Sequence, residues 1–472
     1  MKNLHFQKRL TVFGIIVLGS IILLRLACYN SYPFVYPDTG TYIRSGFEVF
    51  VPIDRPIFYG LFVRIVSFST SLWNVVFVQS FILAYLVYLI LKEFIGSTYF
   101  NFYYFFILTF LCLTTGVSFN VSMITPDIFT SFLFLIVFIL YAMPDLNIFH
   151  KFILWVLFIA SILTHHSHLL ISIFIFGFFL VSIISKIYFK NLFQKFISKI
   201  YFIQKLLLLI LISVGFSLVI NFYLSKKWSL SQASHAFILN KIHDNELLVP
   251  FLNEYCNKAP FYLCQFKDSL PWDLIWDMKS PITNSGDWNL HKSEDEHLIK
   301  EIVFSRNYGP LFVLKSIQQT FKQLFKFNTG DAPNGEMINP PLIEIRKYMP
   351  SERKEFLAAH QFNHLLDFEF LNTIQIIIVY LALCILTLPF VINTIEWDYR
   401  IKQGILLLAV FEISNAFICS TFSTVLDRYQ SRVIWLIPFF ATIILLQLVL
   451  KYWETQNNFS KQELSSFKNT SE

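Results

Sequence analysis

Ten apolar windows recur along this chain, at about 10–28, 73–92, 100–118, 124–143, 149–164, 169–185, 206–224, 371–391, 403–421 and 433–450. A helix needs roughly 20 residues to cross ~30 Å of hydrocarbon, so the windows predict an all-α polytopic membrane protein with about ten transmembrane helices. Composition agrees, since only 14% of the 472 residues are charged and 55% are hydrophobic, whereas a water-soluble chain carries about a quarter charged. The fifth and sixth windows are short enough to be tilted or broken. Residues 57–70 (IFYGLFVRIVSFST) are also apolar but short and interrupted by Arg64, which predicts a helix lying in the interface, with a true span as the alternative. Lys2, Lys8 and Arg9 precede the first window and no small-residue cleavage site follows it, the pattern of a retained anchor.

Lysine and arginine in short loops set the orientation. Lys186, Lys190, Lys195, Lys199 and Lys205 between the sixth and seventh windows mark a cytoplasmic loop. Alternation then puts both termini inside, together with Lys92, Lys151, Arg400, Lys402 and Lys451. It puts residues 29–72, 118–126, 165–168, 225–370 and 422–432 on the extracytoplasmic face. The expected organisation is an N-terminal bundle over 1–224 with a first outer loop at 29–72. A folded, mainly helical outer domain follows over 225–370, then three spans over 371–451 and a disordered cytoplasmic tail over 452–472. The stretch 225–370 is too long and varied for a tether. The net charge of +6 gathers at span ends and does not indicate nucleic acid. Cys28, Cys112, Cys384 and Cys419 lie in or beside apolar runs and show no metal spacing, whereas Cys256 and Cys264 share the outer segment and predict a disulfide.

Polar residues that could carry chemistry crowd the outer face. In YPFVYPDTGTYIRSGF, Asp38 follows Pro37 at the mouth of the bundle, where burial would raise its pKa and a nearby Arg would lower it, so that it could be tuned as a base. The competing reading is a turn-forming Asp in a PDTG bend. Asp127, after Pro126 at the outer start of the fourth window, is a costly near-membrane carboxylate, or else an acid suited to a helix N-terminus. His165, His166 and His168 invite a zinc reading, but adjacent His side chains diverge and no Cys or Glu cluster accompanies them; hydrogen bonding to a phosphate or sugar, or plain interface polarity, fits better. Arg428 and Arg432 in DRYQSR present paired donors suited to a phosphodiester or pyrophosphate, or anchor the span in headgroups. The chain shows no internal repeat, Walker loop, dinucleotide glycine pattern or helical HExxH.

Asp38 with Tyr42, then Arg55-Pro56 with Tyr59-Gly60-Leu61, resembles the GT-C class of polytopic glycosyltransferases, which includes protein O-mannosyltransferases and aminoarabinose transferases. Ile124-Thr125-Pro126-Asp127 and the Arg-Tyr-x-x-Arg of Arg428 to Arg432 are similar to further stretches of that class. The outer segment beginning HAFILNKIHDNELLVPF resembles loops of uncharacterised bacterial membrane proteins. The resemblance implies transfer of a sugar from a polyprenyl-phosphate donor to a lipid-linked or surface glycan acceptor in a bacterial inner or plasma membrane. Asp38 would be the base, Arg428 and Arg432 would hold the leaving phosphate, and Tyr42, Arg55, Asp127 and His166 would shape the cavity. The class often carries a second acid beside the first. Here Thr39 follows Asp38, so a divalent metal has no support from this motif. A transporter or flippase of a lipid-linked glycan, and a non-catalytic envelope assembly factor, are the alternatives.

Overall fold

Apolar runs punctuated by Gly, Pro and polar turns become helices from end to end. The computed structural model describes residues 2–96, 99–188, 200–258, 261–331, 339–392 and 394–469. The chain opens with α1 (Lys2–Leu23), α2 (Arg25–Asn30), α3 (Pro37–Glu48) and α4 (Phe58–Ser67). Then come α5 (Trp73–Ile95), α6 (Phe100–Thr114), α7 (Val117–Val121), α8 (Ile128–Ala142), α9 (Ile148–Thr164), α10 (His166–Tyr188) and α11 (Ile200–Ser225). A middle group comprises α12 (Ser234–Asp244), α13 (Leu248–Tyr255), α14 (Pro281–Asn284), α15 (Lys292–Val303), α16 (Tyr308–Leu324), α17 (Asn339–Tyr348) and α18 (Arg353–Ala358). The chain closes with α19 (Glu369–Val391), α20 (Tyr399–Phe422), α21 (Arg428–Ile434) and α22 (Leu436–Asn469).

Among the described residues, five stretches are long and apolar enough to cross a membrane: α5, α11, α19, α20 and Arg428–Trp453. Three of the other expected spans are shorter helices, Phe100–Thr114, Ile128–Ala142 and Ile148–Thr164. The reason is local: Thr115-Gly116 stops α6, and Pro126-Asp127 and Pro144 bracket α8. α8 is buried on nearly every side, as an all-round apolar helix in the centre of a bundle must be. The interfacial segment forms the ten-residue α4, whose Arg64 donates to the carbonyls of Gly46 and Phe47 at 3.2 and 3.3 Å.

Tertiary bonds sort helix ends into two layers. At one end, Ser118 donates to the Leu23 carbonyl at 2.7 Å, Gln375 accepts from Gly116 N at 2.6 Å and Glu352 accepts from Leu72 N at 3.1 Å. At the other, Arg400 reaches Glu93 at 2.5 Å and the Ala142 carbonyl at 3.4 Å, while Gln447 donates to the Phe94 carbonyl at 3.2 Å. Lys190, Lys195 and Lys199, which orient the chain in the sequence reading, lie outside the described residues.

Two expectations change. The outer segment 225–370 is divided: α12 to α15 build a separate small core around Leu239, Phe251, Leu298 and Ile302, and the Cys256–Cys264 disulfide (Cα–Cα 5.8 Å) sits in this unit. By contrast, Ile345, Met349 and Phe356 of the α17–α18 stretch join the core of the main bundle. The tail also differs, because α22 stays helical to Asn469 where polar composition predicts disorder.

Candidate functional site

Two segments remote in sequence are stitched side by side before the charges enter. Phe34 N donates to the Ser122 carbonyl and Ile124 N to the Phe34 carbonyl, both at 2.9 Å; this parallel bridge is the one extended pairing among the described residues. Thr39 Oγ1 then donates to the Ile124 carbonyl at 2.9 Å and accepts from Tyr36 N at 3.0 Å. Thr39, which follows Asp38 where the resemblance would allow a second acid, therefore locks α3 to the 122–127 segment. Pro37 opens α3, where its missing N–H costs nothing and its fixed φ suits the first turn. The PDTG segment is thus a helix start, not a free-standing bend, and it holds Asp38 in the first turn of α3.

Asp127 occupies the residue before α8, with helical dihedrals and no side-chain capping bond. Its oxygens are taken instead by Thr125 Oγ1 at 2.7 Å, Arg428 at 2.8 Å and Arg432 at 3.0 Å. Arg428 and Arg432 lie one turn apart on α21, the spacing that aligns two side chains on one face. Arg428 also reaches Asp38 at 3.2 Å and its guanidinium lies 4.1 Å from the centre of the Tyr36 ring. On the far side of Asp38, Arg55 closes to 3.1 Å, covers the Tyr42 ring and is clasped by Asp54. Asp38, Asp127, Arg55, Arg428 and Arg432 thus form one continuous cluster, with Tyr42 at its edge.

The two acids differ in access: Asp38 keeps 26% of its side chain exposed, Asp127 only 3%. Burial works to raise the pKa of Asp38, but Arg55 and Arg428 together outweigh it, and the carboxyl is held below its ordinary range. Arg55 is correspondingly held more firmly protonated: burial opposes its charge, and Asp38, Tyr42 and Asp54 overcome that. Arg432 is the deepest member, donating to Asn415 Oδ1 at 2.8 Å and to Cys419 Sγ at 3.2 Å as well as to Asp127.

The histidines do not converge. His168 is bound to Thr130 and to the Ser161 carbonyl, both at 2.7 Å, and His165 pairs with Ser167 at 2.8 Å. His166 lines a small cavity of about 20 Å³ with Pro56, Ser213 and Ser217, close enough to Asp54 and Arg55 for their charges to act on it. No group of three or more His, Cys, Asp or Glu placed to hold a metal occurs among the described residues. A larger cavity of about 230 Å³, lined by Lys151, Trp155, Lys205 and apolar side chains, lies at the opposite end of α8 from Asp127.

Sequence reasoning missed Tyr36, Asn415, Gln430 and Glu412. Asn415 donates to the Tyr429 carbonyl at 2.7 Å and to Gln430 Oε1 at 3.1 Å, and Gln430 donates to Glu412 at 2.6 Å. Their signal was a Glu and an Asn inside the apolar 403–421 window, where ionisable and polar groups need partners. No protein-family model, curated protein or solved structure matches this chain.

Proposed function

We propose that this chain is a polytopic glycosyltransferase that moves a sugar from a polyprenyl-phosphate donor to a lipid-linked or surface glycan acceptor on the extracytoplasmic face. The observation that carries the reading is the position of Asp38, the accessible carboxylate of a largely buried cluster, held between Arg55 and Arg428. In this reaction the acceptor hydroxyl attacks the anomeric carbon, the bond from that carbon to the lipid phosphate oxygen breaks, and Asp38 takes the hydroxyl proton. The departing phosphate carries the negative charge. Arg428 and Arg55 have the planar donors to receive it, while Arg432, buried against Asp127, Asn415 and Cys419, positions Asp127. An anionic donor drawing Arg428 and Arg55 toward itself would relieve their hold on Asp38 and make it a stronger base when substrate is bound.

Ten crossings fit the two-layer arrangement of helix ends, with the cluster on the extracytoplasmic side. Lys92, Lys151, Arg400, Lys402 and Lys451 then fall at the opposite, cytoplasmic end, as positive-inside requires. The short helices would be accommodated by tilt of their neighbours and local thinning of the bilayer.

The test is Asp38→Asn, which keeps shape but removes the base. Lipid-linked and surface glycans of wild type, deletion strain and variant are compared at matched expression. Transfer should fall by about 10²–10⁴, and a wild-type glycan profile in the Asn variant would sink the reading. A lipid-linked glycan transporter is the second reading, favoured by Glu412, a buried acid inside α20 with one oxygen that has no hydrogen-bond partner among the described residues. Accumulation of intact donor without its translocation in an Asp38→Asn strain would turn the case toward it.

A further inference from the structure

The helix α16 is built inside out for a water-exposed domain. Ser316, Thr320 and Gln323, spaced to share one face, are buried. That face packs on α20 and the loop after it: Thr320 Oγ1 lies 3.2 Å from Ser420 Oγ, and Gln323 donates to the Leu426 carbonyl at 2.7 Å and accepts from Leu426 N at 3.1 Å. The large apolar residues point away from the protein. Val313, Leu314, Ile317 and Phe321 are 57%, 51%, 45% and 63% exposed, and Phe325 just beyond the helix is 64% exposed. A third face carries Lys315 and Lys322. A helix with a polar packing face, an apolar outward face and a lysine-bearing third face has the pattern of one lying along a membrane surface.

We infer that α16 is seated in the lipid leaflet on the cluster side of the bundle, with Val313, Leu314, Ile317 and Phe321 in contact with acyl chains. Lys322 extends toward the headgroups, keeping its charge in water, while Lys315 is paired with Glu246 at 3.4 Å. The occupant is lipid because the face is continuous with a surface already meant for it: α20 is long and apolar enough to cross a membrane, and its Ile413 and Phe422 are likewise exposed. The consequence reaches the charged cluster. Directly after α16, Asn328 N donates to Asp427 at 2.8 Å and Asp331 accepts from Arg428 N at 3.2 Å. A membrane-seated α16 therefore fixes the 325–331 segment against the start of α21 from the lipid side. The inference does not depend on the proposed reaction, and its test needs no activity.

Nitroxides are placed singly at Leu314→Cys, Phe321→Cys and Lys322→Cys in protein carrying Cys28→Ser and Cys384→Ser, reconstituted in phospholipid nanodiscs. Collisions with dissolved oxygen and with a water-soluble nickel chelate are then compared. Positions 314 and 321 should favour oxygen over nickel, while 322 should favour nickel. Nickel access at 314 and 321 equal to that at 322 would show a water-exposed face and overturn the inference. Exclusion of both reagents at 314 and 321 would show burial against a protein, a second copy included, and would overturn it equally.

Discussion

Asp38 and Asp127 both face Arg428, yet they should fail in different ways when neutralised. Asp127 is enclosed between Arg428 and Arg432, so Asp127→Asn leaves buried guanidinium charge uncompensated, a change that costs about 3–5 kcal/mol. Asp38 is partly open to solvent, and its neutralisation should be read in chemistry more than in folding. The expected result is a sharp loss of melting temperature and abundance for Asp127→Asn in detergent, against near-wild-type behaviour for Asp38→Asn. Equal melting of the two variants would show that Asp127 carries no such structural burden. A second carboxyl, Asp295 of α15, is buried beside Tyr262 and lies 3.8 Å from His235. Burial first, and Glu294 and Glu296 next, push its pKa up to about 7 against the bond from Tyr262, while burial lowers the pKa of His235. A carboxyl raised on folding stabilises most below its unfolded value, near 4. That contribution is lost as pH climbs to about 7, so the α12–α15 unit should weaken between these values by at most about 4 kcal/mol. Hydrogen exchange of α12 and α15 at pH 5 and pH 8, corrected for intrinsic rates, checks this, and Asp295→Asn should abolish the difference. Asp38, Asp127, Arg55 and Arg428 were legible as site candidates because charge near a membrane demands a reason. Asn415 and Glu412 were passed over because their run was read for its apolar average.

Between α3 and α4 the packing leaves no room for a side chain. A Cβ at Gly46 would fall on the Gly60 carbonyl, and one at Gly60 would lie 2.6 Å from the Tyr42 carbonyl oxygen. These contacts are to backbone, so the helices themselves must separate, and overpacking of this kind costs about 1–3 kcal/mol. Because the 49–57 connection carries Arg55 back to Asp38, Gly60→Ala should lower thermal stability and glycan transfer together. Gly14, inside α1, has nothing within 4 Å of its added Cβ, so Gly14→Ala should be neutral or stabilising by up to about 1 kcal/mol. Thermal unfolding of both variants in the same detergent decides it; a Gly60→Ala protein as stable as Gly14→Ala would mean that the helix pair yields easily. The apolar windows gave most of the long helices to within a few residues, since length and hydropathy are local properties. Where α3 begins was not local: Pro37 and Asp38 suit a turn or a helix start, and the bonds from Thr39 to residues 36 and 124 hold the helix start in place. The division of 225–370 was equally hidden, because α17 takes Glu48 of α3 as the partner of Lys347 at 2.7 Å.

At the scale of the molecule, the charged cluster and the basic helix ends occupy opposite layers, and this separation makes orientation testable. Arg428, Asp38 and Asp127 meet where α3 and α21 begin and α8 is about to begin; Lys92, Arg400 and Lys451 gather where α5 ends, α20 begins and α22 passes. A helix of 15 residues such as α8 rises about 22 Å, so one layer cannot be reached from the other without passing the apolar middle. If Lys and Arg set topology, as they do in short loops, the basic layer faces the cytoplasm and the α12–α15 unit with its disulfide faces the oxidising side, the compartment in which such a bond persists. Two engineered cysteines resolve this. One replaces Ser293 at the start of α15 and the other replaces Asp145 in the turn between α8 and α9, each in a chain whose exposed Cys28 and Cys384 are changed to Ser. A membrane-impermeant maleimide applied to intact cells, or to spheroplasts where an outer membrane intervenes, should label position 293 and leave 145 unmodified until the membrane is opened. Labelling of 145 with protection of 293 would invert the topology and put the Asp38 cluster on the cytoplasmic face, where an extracytoplasmic glycan acceptor could not reach it.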